Sequence, residues 1–383
     1  MANTLTNILP KILARGLLAL REQAIMPRLV NGDYSAEAAE YGSTIDVPIP
    51  SGKTASDVTP SNTPPAPSNA SHAKVQISLD NWKKVDFHLS DKDLVEIDRN
   101  AHFIPMEMSE SVRALANVIN EDIHAEYLGV YGYTGTAGST PFASTVVDAT
   151  NARKNLHSQR APKNARRGVL DFDAEANALA LSQFSDAEKI GGSGVKIEGE
   201  LGRKYGIDWY ADDAVTTHTA GTLTTPGGIV NTPASAGVSS VSIRSASAAG
   251  NINIGDIFTI SGDTQTYVAL ATVSAIVSGT GQSVQFDPPL AVAVTSGLAV
   301  DVKASHVVNI AFHRDAFAFA NRPLVASTQD LQLGSRILSM TDPQTGITLR
   351  IEVSRQYKQV VWELDVLWGA KLVRPQLATR IAG

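Results

Sequence analysis

The sequence of 383 residues contains no cysteine. This absence excludes disulfides, zinc sites with cysteine ligands and catalysis by a thiol, and it is compatible with a reducing compartment. No apolar run approaches the ~18–20 residues that cross a bilayer, so we expect no membrane partner. The apolar N-terminal patch is interrupted by charges and lacks the apolar core and cleavage site of a signal peptide.

The sequence also lacks the motifs of common reaction centres. GxSxG, GxxxxGK[ST], GxGxxG and HExxH are all missing, and none of the eight histidines is spaced four residues from another. The carboxylate pairs Asp171/Asp173 and Asp212/Asp213 are better explained by helix capping and turns than by acid–base chemistry. We therefore expect a protein that is not an enzyme and that uses no cofactor or metal.

Clustered positive charge is also scarce. The net charge of −6 argues against strong nucleic-acid binding, which needs many lysines and arginines on one surface. One basic cluster occurs between residues 153 and 167, without interleaved aromatics. We interpret it as a solvated face or as a contact for acidic neighbours, with packaged nucleic acid as the minority reading. The candidate contact residues in it are Arg160, Arg166 and Arg167.

A long stretch with very little charge, residues 221–305, lies inside a chain of ordinary charge. It contains six charged residues, whereas 18% of the whole chain is charged. Short β-like runs separated by turn residues fill it, and no helical pattern is present. The flanks have the mixed pattern of an α+β domain. The sequence therefore predicts an all-β domain inserted into a loop of an α+β protein.

The N-terminus and the region after it suggest contacts with partners. Residues 5–25 have the spacing of an amphipathic helix ended by Pro27, which packs on its own domain or docks on a neighbour. Alternating strands at 44–49 and 74–89 flank a loop rich in Pro, Ser and Thr, which predicts a long hairpin. Its tip is either a surface linker or a loop that orders on a neighbouring subunit. The candidate assembly contacts in these regions are Leu9, Leu13, Leu17, Leu20, Lys53 and Asp57.

Further elements are predicted along the rest of the chain. Residues 109–128 form the strongest helix, about 30 Å long, with Ser109 as its N-cap and one apolar stripe. Residues 131–139 have the composition of a flexible loop. Helices are expected from 174 to 187 and from 314 to 320. Residues 347–353 and 362–368 alternate as an antiparallel strand pair of a central sheet, with Pro375 before a short tail.

The order of these elements resembles the major capsid proteins of tailed double-stranded-DNA phages, in the podophage coat-protein branch with an inserted β domain. Each stretch is weakly specific by itself, and their order along the chain carries the resemblance. The stretches are VNGDYSAEAAEYGSTIDVPIP at 30–50, APKNARRGVL at 161–170, GELGRKYGIDWYADDA at 199–214, GDIFTISG at 255–262, HVVNIAFHRDAFAFANRPL at 306–324 and WELDVLWGAKLVRPQLATRI at 362–381.

The resemblance implies the Hong Kong 97 phage capsid fold, an α+β fold with an N-arm, an extended loop, and peripheral and axial domains. The expected ranges are 1–43 for the arm, 44–90 for the extended loop, 91–150 for the peripheral domain with its spine helix, 151–220 and 306–345 for the axial domain, 221–305 for the inserted β domain, and 346–383 for the C-terminal peripheral strands. The insertion is short for this branch.

The resemblance also implies a function and partners. The chain would assemble as pentamers and hexamers into an icosahedral shell around the phage genome, in the host bacterial cytoplasm. It would use a separate scaffolding protein, because no long charged N-terminal extension is present, a portal protein at one vertex, and weak non-specific contact with packaged DNA. The alternatives are an encapsulin-like compartment shell and a β-rich adhesin or tail-fibre-type binding module.

Overall fold

The computed structural model describes residues 24–34, 44–49, 55, 57–58, 60–62, 73–92, 103–185, 201–224, 227–322, 335–342 and 345–383. Its α-helices are α1 (Met26–Leu29), α2 (Phe103–Ala125), α3 (Val147–Ser158), α4 (Phe172–Ala180) and α5 (Ser182–Ser185). Short 3-10 helices span Glu126–Gly129, Thr222–Thr224, Arg314–Ala316 and Pro375–Leu377.

The strands follow the order of the chain. They are β1 (Thr44–Ile49), β2 (Ala73–Ser78), β3 (Asn81–Ser90), β4 (Gly132–Gly135), β5 (Arg166–Leu170), β6 (Gly202–Lys204), β7 (Ile207–Ala211), β8 (Thr217–His218), β9 (Gly228–Val230), β10 (Ser240–Ser245), β11 (Gly250–Ile252), β12 (Ile257–Ile260), β13 (Tyr267–Ala269), β14 (Val273–Ile276), β15 (Gln282–Asp287), β16 (Ala299–Val302), β17 (His306–His313), β18 (Phe317–Asn321), β19 (Ser335–Thr341), β20 (Thr348–Gln356), β21 (Gln359–Leu372) and β22 (Ala378–Ala382).

A seven-stranded sheet has β17 near its centre. The strand order is β4-β22-β17-β5-β7-β6, and β8 pairs with the start of β17. Strand β17 is antiparallel to both β22 and β5, whereas β4 pairs with β22 and β5 with β7 in parallel. Two expectations are corrected here. The predicted flexible loop at 131–139 contains β4, and the predicted C-terminal tail contains β22, whose five residues are all buried.

A second sheet of five strands has the order β18-β21-β20-β19, with β3 paired to β21. The predicted antiparallel strand pair is confirmed, because Ile351 lies opposite Leu364 and Val353 opposite Trp362. The segment predicted as helical at 314–320 is a 3-10 turn followed by β18. Its residues 317–321 are all buried, and alternating Phe and Ala side chains suit a strand covered on both faces.

Helix α2 packs against β3 and β21 of the second sheet. The predicted apolar stripe is confirmed, since its members are at most 8% exposed. The helix begins at Phe103, so Ser109 lies inside it and is not the N-cap. Pro105 explains the early start, because proline is tolerated in a first turn, where the backbone N–H needs no helical partner. The buried stripe is Val112, Leu115, Ile119, Ile123 and Tyr127.

The predicted hairpin forms from β1 and β2, which pair from Thr44 opposite Ser78 to Ile49 opposite Ala73. The single strand expected at 74–89 is instead two strands, because β2 pairs with β1 and β3 joins β21. A small core beneath the hairpin also includes Ala318 and Ala320. Gly369 permits the close approach, since a Cβ atom there would lie 2.1 Å from the carbonyl oxygen of Ser78.

The inserted segment folds as a closed six-stranded barrel, in the order β10-β15-β13-β12-β16-β9. A separate pair, β11 and β14, lies beside it. The barrel has its own apolar core, in which the rings of Phe258, Tyr267 and Phe286 contact one another at centroid distances of 5.2–5.7 Å. A closed barrel has no free sheet edge, which suits a domain with few charges to protect an edge.

Several predicted boundaries change in the structure. The predicted helix at 174–187 is two helices, α4 and α5, because Leu181 is extended. Asp171 stands at the N-cap of α4, but its side chain makes no capping hydrogen bond. Pro27 lies in the first turn of α1 and does not end a helix. The remainder of the predicted helix 5–25, through residue 23, lies outside the described residues.

The two sheets do not follow the sequence ranges expected for the axial and peripheral domains. Strands β18 and β19, from the expected axial range 306–345, pair in the sheet that contains β20 and β21. Strands β4 and β22, from the expected peripheral ranges, pair in the sheet that contains β17. Sequence order does not separate the two sheets, because the chain passes between them after Arg314–Ala316 and again at Pro375–Leu377.

Candidate assembly surfaces and the joint of the inserted barrel

A cluster of buried polar side chains connects the barrel to the seven-stranded sheet, and this region is called the joint. Arg380 of β22 lies at the centre of the joint and is 0% exposed. Its Nη1 donates to the carbonyl oxygen of Gly255 at 2.9 Å, and its Nη2 donates to those of Tyr127 at 3.0 Å and Leu128 at 3.3 Å. The guanidinium also lies 5.0 Å from the ring centroid of Tyr127. One side chain therefore connects the barrel, the end of α2 and the sheet.

Asp256 fixes the point where the chain passes into the barrel. This carboxylate is fully buried and accepts hydrogen bonds from the backbone N–H groups of Gly221, at 3.0 Å, and Asn253, at 2.7 Å. His218 Nε2 donates to it at 2.8 Å, and His218 Nδ1 accepts from the hydroxyl of Tyr127 at 3.2 Å. The chain from β8 is thus tied both to the barrel and to α2.

Two further histidines of the joint are buried in neutral form. Burial lowers the pKa of His306 to about 4 and that of His124 to about 4, and the nearby charge of Arg380 adds to both effects. His306 Nδ1 donates to the carbonyl of Ala304, and His124 Nε2 donates to that of Val308. Their other ring nitrogens have no hydrogen-bond partner among the described residues. Burial lowers the pKa of Arg380 to about 10, so the guanidinium stays charged at neutral pH.

Two clefts flank the joint. One, of about 400 Å³, is mainly apolar and lies between Leu128, Gly129 and Leu372 of the body and Ile254 and Leu270 of the barrel. The other, of about 530 Å³, lies between β4, α3 and the barrel. Its lining residues are Tyr131, Gly132, Tyr133, Lys154, Asn155, Ser158, Gln159, Thr264, Gln265, Thr266, Pro288, Pro289 and Ala291.

The predicted contact residues differ in accessibility. Asp57 and Arg160 are both exposed. Arg160 lies just after the end of α3 and has a positive φ of 59°. Arg166 is 2% exposed and donates to the carbonyls of Ala161 and Pro162, both at 2.6 Å. Arg167 donates to the carbonyl of Arg28 at 2.8 Å. Arg166 therefore belongs to the interior of the subunit, which differs from the expected contact role. Leu9, Leu13, Leu17, Leu20 and Lys53 lie outside the described residues.

The joint was not found from the sequence. Asp256 lies in the quoted stretch 255–262 and Arg380 in the stretch 362–381, but no spacing relates them. A lone arginine in a short C-terminal tail is expected to face solvent. Arg380 is buried because β22 pairs between β4 and β17. Across the described ranges, no group of three or more His, Cys, Asp or Glu side chains could hold a metal ion. No helix in those ranges is both long and apolar enough to cross a membrane.

The comparisons with known proteins identify the fold. No protein-family model matches the sequence, and no curated protein matches it significantly. A solved structure from Mycobacterium phage Che8 is similar over 94% of this chain and 91% of its own, with 12% identity and a TM-score of 0.54. The capsid structure of cyanophage P-SCSP1u is similar over 89% of this chain and 83% of its own, with 13% identity and a TM-score of 0.46. The similarity to the Che8 structure shows that the chain has the α+β Hong Kong 97 phage capsid fold, and the six-stranded barrel is its inserted β domain.

Proposed function

We propose that this chain is the major capsid protein of a tailed phage and that it assembles into the icosahedral shell around the double-stranded DNA genome. The observation that carries the proposal is the similarity of fold to the Che8 structure over 94% of the chain. A fold by itself does not fix a function. One feature of this chain supports the proposal, namely the hairpin on its own small core.

The proposal assigns a role to each part of the fold. The arm is 1–43, and the extended loop is based on β1 and β2, whereas β3, at the end of the expected range 44–90, pairs in the five-stranded sheet. The unit built on the five-stranded sheet and α2 is the peripheral domain, and the unit built on the seven-stranded sheet is the axial domain. In this assignment β18 and β19 belong to the peripheral domain, whereas β4 and β22 belong to the axial domain, because strands of one sheet share hydrogen bonds and a core.

A shell of this kind is built from heterologous contacts that close around five-fold and six-fold axes. Each contact can be weak, because many simultaneous contacts stabilise the cage. We assign pentamers and hexamers of this chain, a separate scaffolding protein and a portal protein at one vertex, with assembly in the bacterial cytoplasm and a final place in the virion capsid. Contact with DNA is weak in this scheme, since the net charge is −6.

Electron microscopy of the purified protein tests this proposal. The chain is produced alone and with the scaffolding protein encoded beside it, and both samples are examined by negative stain and sedimentation. We expect closed shells with five-fold vertices, in higher yield with the scaffold. Fibres, or monomers under every condition, would instead support the adhesin or tail-fibre alternative. Shells that form without scaffold and enclose a protein cargo would support the encapsulin-like alternative.

A further inference from the structure

An exposed aromatic residue lies between carboxylates at the start of α4. Phe172 is 58% exposed, and it is flanked by Asp171 and Asp173, with Glu175 one turn further on. No lysine, arginine or histidine forms an ion pair with Asp173 or Glu175 in the described ranges. These four residues are called the α4 knob. A large aromatic side chain of this kind, ringed by polar groups, is typical of an anchor residue in an interface.

The cleft of about 530 Å³ beside α3 has complementary chemistry. Tyr131, Tyr133, Pro288 and Pro289 supply aromatic and apolar surface in its walls. Lys154 also lines it, together with amide and hydroxyl groups from α3 and the barrel. Polar groups make up most of the lining, and the tyrosine and proline side chains supply the apolar part on which an aromatic ring can pack. This feature is called the α3 cleft.

Positive charge lies in the lining of the α3 cleft at Lys154, and Arg160 and Lys163 carry further positive charge on the segment after α3, outside the lining. Lys154, Arg160 and Lys163 are exposed, and none of them forms an ion pair within the described part of the chain. Burial lowers the pKa of His157, and the positive charges around it contribute to the same direction. The knob thus carries unpaired negative charge and the cleft unpaired positive charge. Their signs are complementary, as in interfaces whose charges steer the two partners together.

We propose that the α4 knob of one copy docks in the α3 cleft of the next copy, with Phe172 in the cleft and Asp173 beside Lys154. This inference rests on the proposed function, and it names the partner as a second copy of this chain. Knob and cleft are different surfaces on different helices, so the contact is heterologous. Contacts of that type continue from copy to copy and close into rings when the rotation permits.

A charge-swap experiment on the full chain tests the contact. Assembly with scaffold is measured by sedimentation and electron microscopy for Asp173→Lys, Lys154→Glu and the double variant. We expect each single variant to need a concentration about tenfold higher or more for assembly, because every copy uses the contact twice. The double variant restores the pair with reversed signs and should assemble close to the wild type. Phe172→Ala should also weaken assembly.

An unmatched pair serves as the control. Lys83 is exposed on β3 of the five-stranded sheet and does not line the cleft, so Asp173→Lys with Lys83→Glu should not recover assembly. Circular dichroism and tryptophan fluorescence confirm that the variants are folded. If the wild type forms shells while both single variants assemble equally well, or if the double variant fails to recover, the docking contact is wrong. If the wild type itself forms no shells, the proposed function fails first.

Discussion

Replacing Arg380 by methionine tests how strongly the buried joint holds the barrel to the body. The variant keeps an unbranched side chain of similar length but removes hydrogen bonds to the carbonyls of Gly255, Tyr127 and Leu128. A hydrogen bond from a charged group contributes ~1.5–3 kcal/mol, and the desolvation of a buried guanidinium offsets several kcal/mol of the total. We therefore expect the free energy of unfolding to fall by about 3 kcal/mol.

The four tryptophans make the assay selective. Trp82, Trp209, Trp362 and Trp368 all lie in the body, and the barrel segment contains none. Tryptophan fluorescence in a urea titration therefore follows the body, whereas hydrogen exchange of residues 228–302, measured by mass spectrometry, follows the barrel. In Arg380→Met we expect loss of stability in the body and faster exchange around Gly255 and Asp256, since both sides of the joint lose a partner.

A partly buried arginine in the other sheet provides the control. Arg350 donates to Asp365 through Nε at 2.7 Å and through Nη2 at 2.5 Å, within the five-stranded sheet and away from the barrel. Arg350→Met should destabilise the body without changing exchange near Gly255. The reasoning would be refuted if the free energy of unfolding of Arg380→Met lay within about 0.5 kcal/mol of the wild-type value and exchange at the joint were unchanged. A difference that small is typical of a surface substitution.

Three further predictions follow from the described contacts. Phe286→Ala should cost about 3–5 kcal/mol in the barrel, because it removes a ring from a closed core, and hydrogen exchange in 228–302 should rise while tryptophan fluorescence stays as in the wild type. His124 is neutral in the folded protein, so the unfolded state takes up a proton first. Its contribution to stability is therefore present above pH 6.5 and is lost as the pH falls from 6.5 towards 4. His124→Gln should make the urea midpoints less dependent on pH across that window, and the dependence due to His306, whose pKa is also lowered to about 4, should remain. Gly369→Ala should weaken the packing of β2 on β21, because a Cβ atom would lie 2.1 Å from Ser78 O. Hydrogen exchange in 73–78 that rises above the wild-type rate more than exchange in 81–90 does would show this weakening, and an equal change in both segments would count against it.

The local patterns that the sequence predicted well are those whose period matches one buried face. The stripe on α2 and the alternation in β1, β20 and β21 are confirmed, because side chains on the buried face are apolar and those on the other face are polar. The low charge of 221–305 predicted the inserted β domain for a related reason. A small closed barrel needs many apolar and small residues and few charges.

Two of the elements that the sequence missed are buried along their whole length. Strand β22 contains Thr379 and Arg380, both 0% exposed, so its pattern resembles an exposed tail. Segment 317–321 is only five residues long and alternates Phe and Ala, and its pairing with β21 shows that it is a strand. In both cases a neighbour distant in sequence supplies the hydrogen bonds, and single-sequence periodicity carries no information about that neighbour.

The sequence by itself determined the absence of thiol chemistry, the amphipathic spine helix, the hairpin and the inserted β domain, because composition and periodicity act within one segment. Only the tertiary structure decided which sheet each strand joins, that Arg166 and Arg380 are buried, and that Phe172 faces solvent. These properties depend on contacts between residues far apart in the sequence, such as Arg380 and Tyr127, which are 253 positions apart. They are fixed by satisfying buried polar groups in three dimensions, which no local pattern specifies.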